Sequence, residues 1–190
     1  MKNKIILFAV MAIGITTTAF AQTTIKPHLG VNMSDVSISN ADATGKAGVL
    51  AGLSVAFGKK FYFEPGLQYV AKSTEIVSTN NPSLPKGNYD LKGLRVPLAV
   101  GLHLLGDEKS TITLHGFAGL SAFFIMNDNF DDVNINLNKT NWAVFAGAGV
   151  DFWKLFLDAS YEWSLSELSS DADIGKTHTL YINAGFRFNL

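Results

Sequence analysis

Residues 155–165 read LFLDASYEWSL, and this stretch decides the fold class. One set of alternate positions is apolar and consists of Leu155, Leu157, Ala159, Tyr161, Trp163 and Leu165. The intervening positions include Asp158, Ser160, Glu162 and Ser164. Because successive side chains of a β-strand point to opposite faces, this alternation predicts a strand with one apolar and one polar face.

The same period recurs in seven other segments. Their first apolar residues are Ile25, Val49, Phe61, Leu94, Ile112, Trp142 and Leu180. Each segment is near the ~9–11 residues that a tilted strand needs to cross a bilayer. Pro65 lies inside one of them and lacks a ladder donor, which favours a β-bulge there, with Gly66 easing the bend.

The connections between these segments alternate in length. The short ones are residues 58–60, 106–110 and 153–154, and the long ones are 34–46, 73–88, 127–141 and 166–177. Bacterial outer-membrane barrels have this asymmetry, with short periplasmic turns and longer external loops. The sequence therefore predicts an all-β protein, an eight-stranded antiparallel up-and-down transmembrane β-barrel whose first and last strands pair.

The first 21 residues have the composition of an export signal. Lys2 and Lys4 precede and flank the start of an apolar run at 5–15, and Ala-Phe-Ala at 19–21 has the small-x-small form of a cleavage site. We therefore expect a cleaved signal peptide at 1–21, a single barrel domain at 22–190, and location in the cell outer membrane.

Composition excludes several classes of function. Without Lys2 and Lys4, 13 of the 15 basic residues remain against 16 acidic ones, a net charge near −3, so nucleic acid is not an expected partner. The absence of cysteine excludes disulfides and thiolate chemistry. The chain is 47% hydrophobic and 16% charged, against about 25% charged in ordinary soluble domains. A chain of this composition must keep a large apolar surface away from water.

Two features place the apolar face outward. The polar face is mostly small, with Gly, Ser, Ala and Asn, which suits the narrow interior of an eight-stranded barrel. The aromatic residues of the apolar face concentrate at the strand ends, as in the two girdles of a membrane barrel. The predicted girdles are Phe57, Phe61, Phe63, Phe152 and Phe188 at the short-turn end, and Tyr69, Phe124, Trp142, Tyr161 and Trp163 at the long-loop end.

The polar face carries four charges of each sign. They are Lys26, Lys72, Arg95 and Arg187 against Glu64, Asp151, Asp158 and Glu162. Because an unpaired buried charge is costly, we expect Glu64 to pair with Arg95. Arg187 is expected to pair with Asp158 or Asp151. Three histidines share this face and are expected to complete internal hydrogen bonds, namely His28, His103 and His115.

Other chemistries have weaker support in the sequence. The acidic stretch 127–138 has oxygen ligands for Ca²⁺ but lacks the spacing of an EF-hand loop. The three histidines lie on different strands, which favours hydrogen bonding over metal binding. His178 and the serines at 164–170 suggest a lipid hydrolase, but no nucleophile elbow or oriented triad accompanies them. We therefore predict no catalytic, cofactor-binding or metal site.

Four motifs, taken in order, resemble a known family. They are FEPGLQY at 63–69, LRVPL at 94–98, HGFAG at 115–119 and VFAGAGV at 144–150. This order resembles the PorT-like outer-membrane β-barrel family typical of Bacteroidetes, over essentially the whole mature chain. The resemblance implies a small outer-membrane barrel, generally of unassigned activity. Some relatives assist protein secretion, but no residue here matches a motif for that role.

The sequence thus leads to one main hypothesis and two alternatives. The main one is a non-enzymatic outer-membrane barrel with a filled, salt-bridged interior and a structural or surface-interaction role. Its expected partners are outer-membrane lipid, the barrel-assembly machinery during insertion and an unidentified partner at the external loops, and we expect a monomer. The alternatives are a small-solute, porin-like channel and a lipid-modifying outer-membrane enzyme. No cofactor is expected.

Overall fold

The computed structural model describes residues 22–38, 41–45, 47–77, 87–106, 110–128, 140–165 and 174–190. The predicted signal peptide at 1–21 lies outside these ranges, as does most of the acidic stretch 127–138. Those two predictions therefore stay open. No helix in the described ranges is both long and apolar enough to cross a membrane.

Ten strand segments are described. They are β1 (Thr23–Ile38), β2 (Ala41–Gly45), β3 (Ala47–Gly58), β4 (Phe61–Val77), β5 (Gly87–Leu105), β6 (Ile112–Asp128), β7 (Thr140–Phe152), β8 (Leu155–Ser164), β9 (Ile174–Phe186) and β10 (Phe188–Asn189). β2 and β3 share one position, since both lie between β1 and β4. β10 follows β9 directly and pairs, like β9, with β1. The segments therefore occupy eight positions.

The eight positions close into a ring. Neighbouring strands pair antiparallel in chain order, and β9 pairs back onto β1. In that closing ladder Gly30 lies opposite Asn183 and Met33 lies opposite Leu180. Closure leaves the described sheet without an open edge. The predicted eight-stranded antiparallel up-and-down barrel is confirmed.

The strands reach further toward the long-loop end than the alternation of side chains indicates. β1 continues to Ile38, β4 continues to Val77 and β5 starts at Gly87. Parts of the predicted loops 34–46 and 73–88 are therefore strand. The apolar residues there do not keep the parity of the strand that they extend, since Val36 and Ile38 follow Met33 and Tyr89 and Leu91 precede Leu94, but backbone ladder bonds do not depend on side-chain type.

β4 passes Pro65 without a change of register. Phe63 lies opposite Val100 and Gln68 lies opposite Arg95, which is the same offset on both sides of the proline. The bulge predicted at this position is therefore wrong. The register shifts of the β5–β6 ladder lie elsewhere, next to residues 92 and 104.

Gly66 serves close packing rather than a bend. A Cβ at this position would lie 3.1 Å from the Pro97 side chain and 3.2 Å from Ser54 Cβ. Both contacts are tighter than ordinary van der Waals distances, so a side chain at position 66 would have to push its neighbours. The small residue lets β3, β4 and β5 bring their inward side chains close together.

Three short turns gather at one end of the barrel, which we call the short-turn end. Gly58 and Gly106 have positive φ values of 123° and 78° there, a region that glycine adopts without a steric penalty. Gly58 N donates to Gln22 O at 3.1 Å, and Leu190 N donates to Thr23 O at 2.8 Å. Backbone hydrogen bonds therefore join the turns to the ends of the first and last strands.

The apolar face points outward. In β8, exposed and buried residues alternate at every position from Leu155 to Ser164. Across the outer surface large apolar side chains are uncovered, with Leu29 at 69%, Val49 at 64% and Phe61 at 72% exposure. Soluble proteins rarely expose contiguous apolar surface on this scale. The prediction that leucines and valines line the outside of the barrel is confirmed.

The interior is filled by aromatic side chains as well as by small and charged residues. The inward aromatic residues are Tyr62, Phe117, Phe123, Phe145, Phe156 and Tyr181. The expected interior of mainly Gly, Ser, Ala and Asn is therefore incomplete. These rings occupy the space between the charged groups, and they set which charges can meet.

Candidate functional site

The barrel interior is the candidate functional site, because it collects the charged side chains that the sequence placed on the polar face. Lys26, Arg95, Asp151, Asp158, Glu162 and Arg187 are buried, and Glu64 and Lys72 are partly buried. We divide them into two groups. The loop-side cluster is Lys72, Arg95 and Glu162. The turn-side cluster is Lys26, Glu64, Asp151, Asp158 and Arg187, together with His103 and His115.

An arginine–glutamate pair forms the centre of the loop-side cluster. Arg95 Nε donates to Glu162 Oε2 at 2.8 Å, and Arg95 Nη2 lies 2.6 Å from the same oxygen. Ser121 donates to Glu162 Oε2 at 2.6 Å, and the Tyr181 hydroxyl donates to Oε1 at 3.3 Å. Arg95 Nη1 also donates to Gln68 Oε1 at 2.8 Å. Both charges are thus desolvated but extensively hydrogen-bonded.

Aromatic rings enclose the two cations of this cluster. The Arg95 guanidinium carbon lies 4.5 Å from the Tyr181 ring centroid and 4.9 Å from that of Phe145. Lys72 Nζ lies 5.0 Å from the Phe123 ring centroid. The negative faces of aromatic rings attract cations at these distances. Lys72 and Arg95 share one carboxylate, that of Glu162. The aromatic rings therefore supply part of the negative charge that a second carboxylate would provide.

In the turn-side cluster, one lysine links two carboxylates. Lys26 Nζ lies 3.2 Å from Glu64 Oε2 and 3.3 Å from Asp158 Oδ2. Ser54 donates to Glu64 Oε1 at 2.6 Å, and Lys26 Nζ lies 4.3 Å from the Phe156 ring centroid. The lysine therefore bridges β1, β4 and β8 across the interior.

The predicted pair between Glu64 and Arg95 is wrong. In the β4–β5 ladder Glu64 lies opposite Ala99, four residues along β5 from Arg95. Since a strand rises about 3.3 Å per residue, the two side chains start roughly 13 Å apart along the strand. The arginine is instead level with Gln68 and reaches across the barrel to Glu162.

The other predicted pair forms with one of its two alternatives. Arg187 Nη1 lies 2.5 Å from Asp151 Oδ2. Asp158 is instead engaged by Lys26 and by His115, whose Nε2 lies 2.9 Å from Asp158 Oδ1. His115 Nδ1 faces the other carboxylate, 3.7 Å from Asp151 Oδ2. One imidazole thus stands between two aspartates.

The remaining two histidines also make hydrogen bonds. His28 Nδ1 donates to the Lys26 carbonyl oxygen at 2.9 Å, and its Nε2 accepts from Gln68 Nε2 at 2.9 Å. His103 Nδ1 donates to the Lys59 carbonyl oxygen at 2.6 Å. His28 therefore uses both ring nitrogens, whereas His103 uses one.

A glycine in β7 makes room for the contact between His115 and Asp158. A Cβ at Gly149 would lie 2.6 Å from His115 Nε2 and would collide with the Asp158 carboxylate. The two side chains therefore cross directly over the β7 backbone, which only glycine permits. This close approach explains the glycine two residues before Asp151 in β7.

The ten aromatic residues of the predicted girdles are all at least partly exposed on the outer face of the barrel. Nine of the ten are exposed and Phe57 is partly exposed. Two unassigned aromatic residues join them near the short-turn end, since Trp153 is 68% and Phe186 is 53% exposed. Tyr161 and Trp163 pack edge to face, with ring centroids 5.0 Å apart.

Sequence reasoning missed the inward aromatic residues, although the signal for them was present. Phe156 has the same parity as Asp158 and Ser160, and Phe145 has the same parity as the inward Asp151. An aromatic residue on the polar parity of a strand has to point inward. The available clue was that an aromatic residue interrupts the run of polar residues on that face of the strand.

Two small cavities remain between the interior side chains of the described residues. One, of about 50 Å³, lies between the clusters and is bordered by Glu64, Gln68 and Arg95. The other, of about 30 Å³, lies in the turn-side cluster and is bordered by Tyr62 and His115. Since a water needs only ~10–15 Å³ of such space, these cavities admit water but not a sugar or an amino acid.

The closed barrel, its apolar exterior and its ion-paired interior agree with a comparison against protein families. The model of the outer membrane protein beta-barrel domain matches residues 20–170. The chain belongs to this family. It is an outer-membrane β-barrel protein, and its exposed apolar surface is the surface that meets lipid.

Two solved structures have the same fold as this outer-membrane barrel. The outer membrane protein OprG from Pseudomonas aeruginosa is 14% identical with a TM-score of 0.56, covering 88% of this chain and 95% of OprG. Ail, the attachment invasion locus protein of Yersinia pestis, solved with the heparin analogue sucrose octasulfate, is 17% identical with a TM-score of 0.50, covering 87% and 99%. At these identities the likeness extends to the fold alone. No curated protein matches the chain.

Proposed function

We propose that this outer-membrane barrel is a closed membrane scaffold with a structural or surface-interaction role and no catalytic activity. The observation that carries the proposal is the filled interior, in which ion pairs and aromatic rings pack between the described residues and the two cavities described among them are water-sized. Function then lies at the lipid-facing exterior and at the loops of the long-loop end, which are the parts that meet other molecules.

The energetics of the interior support a permanent plug. Four ion pairs and two contacts of His115 with aspartates join β1, β4, β5, β6, β7, β8 and the β9–β10 junction. Removing one partner of a buried ion pair is strongly unfavourable, by about 3–5 kcal/mol. Opening a solute path through the axis requires breaking several of these contacts at once, so thermal fluctuation alone does not supply an open state.

The second candidate is a small-solute channel. The polar residues that line the interior favour it, because a path for hydrated solutes needs hydrogen-bonding walls. The strand number opposes it, since eight strands leave an interior just wide enough for side chains, and aqueous channels belong to barrels of about 16 strands.

Planar-bilayer conductance separates the two candidates. We expect the wild-type protein to give no steady openings. A porin of about 16 strands, reconstituted in the same way, serves as the sensitivity control and is expected to conduct. Gel mobility with and without boiling would establish that both proteins are folded. Steady, large openings of the wild-type protein would refute the closed scaffold.

A lipid-modifying enzyme is tested separately, because conductance does not report on it. Mass spectra of lipid A from cells with and without the gene are expected to be identical. A gene-dependent mass difference that corresponds to loss or transfer of an acyl chain would replace the scaffold by an enzyme.

The finer assignments are also proposals. The motif order supports a place among the PorT-like barrels of Bacteroidetes, and the composition of residues 1–21 supports export by a cleaved signal peptide. N-terminal sequencing of protein from the membrane fraction is expected to begin at Gln22. The monomer, inserted by the barrel-assembly machinery, is tested by native mass spectrometry of the detergent-solubilised protein.

A further inference from the structure

The short-turn end of the interior brings two histidines and one aspartate together. One nitrogen of His103, one nitrogen of His115 and one carboxylate oxygen of Asp151 all lie within 4.8 Å of one another. We propose that these three side chains bind a divalent transition-metal ion of the zinc class at this mouth of the barrel. The proposal goes beyond the scaffold role, and it departs from the sequence-based prediction that the interior holds no metal site.

The donor set selects the class of ion. Two imidazole nitrogens and a carboxylate oxygen are typical ligands of Zn²⁺, which commonly keeps water in the fourth position when the protein supplies three ligands. Ca²⁺ and Mg²⁺ take oxygen ligands almost exclusively. Imidazole also suits Cu²⁺ and Ni²⁺, so affinity is expected for that group of metals and not for the hard cations.

The spacing of the ligand atoms is close to what the ion needs. Zn²⁺ binds imidazole nitrogen at about 2.0–2.1 Å, so atoms around a tetrahedral ion lie roughly 3.3 Å apart. His115 Nδ1 and Asp151 Oδ2 are already 3.7 Å apart. His103 is partly buried at the mouth, and its ligand nitrogen already lies within 4.8 Å of the ligand atoms of the other two residues.

Both histidines make, through one ring nitrogen, the supporting hydrogen bond that metal-binding histidines usually make. The ring nitrogen of a ligand that does not bind metal usually donates to a carboxylate or a backbone carbonyl, which fixes the tautomer. His115 Nε2 lies 2.9 Å from Asp158 Oδ1, and His103 Nδ1 lies 2.6 Å from the Lys59 carbonyl oxygen. Each contact leaves the lone pair of the other nitrogen available.

Two buried polar atoms beside this site lack hydrogen-bond partners among the described residues. They are His115 Nδ1 and the Tyr62 hydroxyl, and both residues border the cavity of about 30 Å³. Buried polar groups are normally paired. A metal ion bound to His115 Nδ1, carrying a water that donates to the Tyr62 hydroxyl oxygen, satisfies both atoms at once.

The local charge also favours a cation. The turn-side cluster contains Lys26 and Arg187 against three carboxylates, which leaves one negative charge in excess while its histidines are neutral. Arg187 contacts Asp151 through Oδ2, and the second lone pair of that oxygen remains for the ion. A proton on His115, shared between its two aspartates, would balance the same negative charge. The experiment below distinguishes this alternative from a bound metal ion.

The test uses the untagged full-length mature protein, refolded in detergent micelles and stripped with a chelator. Zn²⁺ binding is measured by calorimetry, and Co²⁺ is used as a coloured probe of coordination. We expect one Zn²⁺ per chain and visible absorption bands of tetrahedral Co²⁺. H103A is expected to weaken Zn²⁺ binding by at least a factor of about ten, as is H115Q.

H178A is the matched control, because His178 stacks on Tyr161 with centroids 6.0 Å apart and takes no part in the turn-side cluster. Its Zn²⁺ affinity should equal that of the wild type, and the boiling-dependent gel shift would confirm that every variant is folded. Failure of the folded wild-type protein to bind Zn²⁺, as expected if His115 only carries a proton, overturns the proposal. So does an H103A variant with unchanged affinity, or loss of binding in H178A.

Discussion

The two ends of the barrel interior solve the same electrostatic problem in different ways. In the loop-side cluster Arg95 and Glu162 depend on each other as their only oppositely charged contacts within 4 Å among the described residues. In the turn-side cluster Lys26 contacts two carboxylates, and Asp158 and Asp151 each contact two basic side chains. One end is a single pair reinforced by rings and hydroxyls, and the other is a branched network.

The difference determines how much stability each end loses when one charged side chain is substituted. A buried charge that loses its sole partner keeps the full penalty of desolvation, whereas a charge with a second partner keeps part of its compensation. The loop-side cluster should therefore be sensitive to single substitutions. The turn-side cluster should tolerate them better, except where backbone and side chains are already in close contact.

The largest effect is expected from E162Q. The amide keeps the shape of the side chain but leaves the Arg95 guanidinium, which is 2% exposed, without a counter-charge. The free energy of unfolding should fall by about 3–5 kcal/mol, the usual consequence of breaking a buried pair. Urea unfolding of the protein in lipid vesicles, followed by tryptophan fluorescence, measures the change.

The matched control for E162Q removes both charges at once. R95M/E162Q should recover most of the lost stability, because the buried guanidinium is removed together with its carboxylate, and the partly buried Lys72 loses Glu162 equally in both variants. If the double variant is as unstable as E162Q, the pair is not the source of the loss and the sensitivity of the loop-side cluster has another cause.

An intermediate effect is expected from G149A in the turn-side cluster. The new methyl group would collide with Asp158 and would lie 2.6 Å from His115 Nε2. Overpacking of this kind costs about 1–3 kcal/mol, measured by the same unfolding assay. G116A is the control, because its Cβ would meet Leu104 at 3.7 Å, an ordinary contact. Equal losses in the two variants would mean that any glycine replacement weakens the wall, not this contact.

The smallest effect is expected from E64Q. Lys26 loses one carboxylate but keeps Asp158 at 3.3 Å, and the amide oxygen can still accept from Ser54. The loss of one hydrogen bond to a charged group corresponds to about 1.5 kcal/mol. Its unfolding midpoint should lie between those of the wild type and E162Q. If E64Q lowers the free energy of unfolding as much as E162Q does, the branched network is no more tolerant of substitution than the single pair.

The sequence was sufficient for the architecture because the alternation is a local property. Residues such as Leu157, Asp158 and Ala159 reveal their faces through their nearest neighbours alone. The alternating loop lengths then fix the order of pairing, since a meander with an even number of strands can close only one way. The partnership of Arg187 with Asp151 was within reach for the same reason, because the two residues lie at the same end of the barrel.

Contacts that depend on register and on the far wall could not be predicted in this way. Glu64 and Arg95 are on neighbouring strands, but their offset of four residues appears only once the ladder is known. The pairing of Arg95 with Glu162 spans non-adjacent strands, so chain order gives no hint of it. His103 and His115 lie directly opposite each other in the β5–β6 ladder, which is again a register that the alternation of side chains does not fix.

The closure of β1 by the last strand has a consequence for biosynthesis. Thr24 donates to Asn189, 165 residues further along the chain, and β1 lacks its partner on that side until residues 174–190 have been synthesised. Long-range pairing of this kind is slow, and an unpaired edge strand invites aggregation while it waits. The nascent polypeptide must therefore be kept unfolded and shielded from its first strand to its last, and a premature stop anywhere before residue 174 should yield no assembled wall at all.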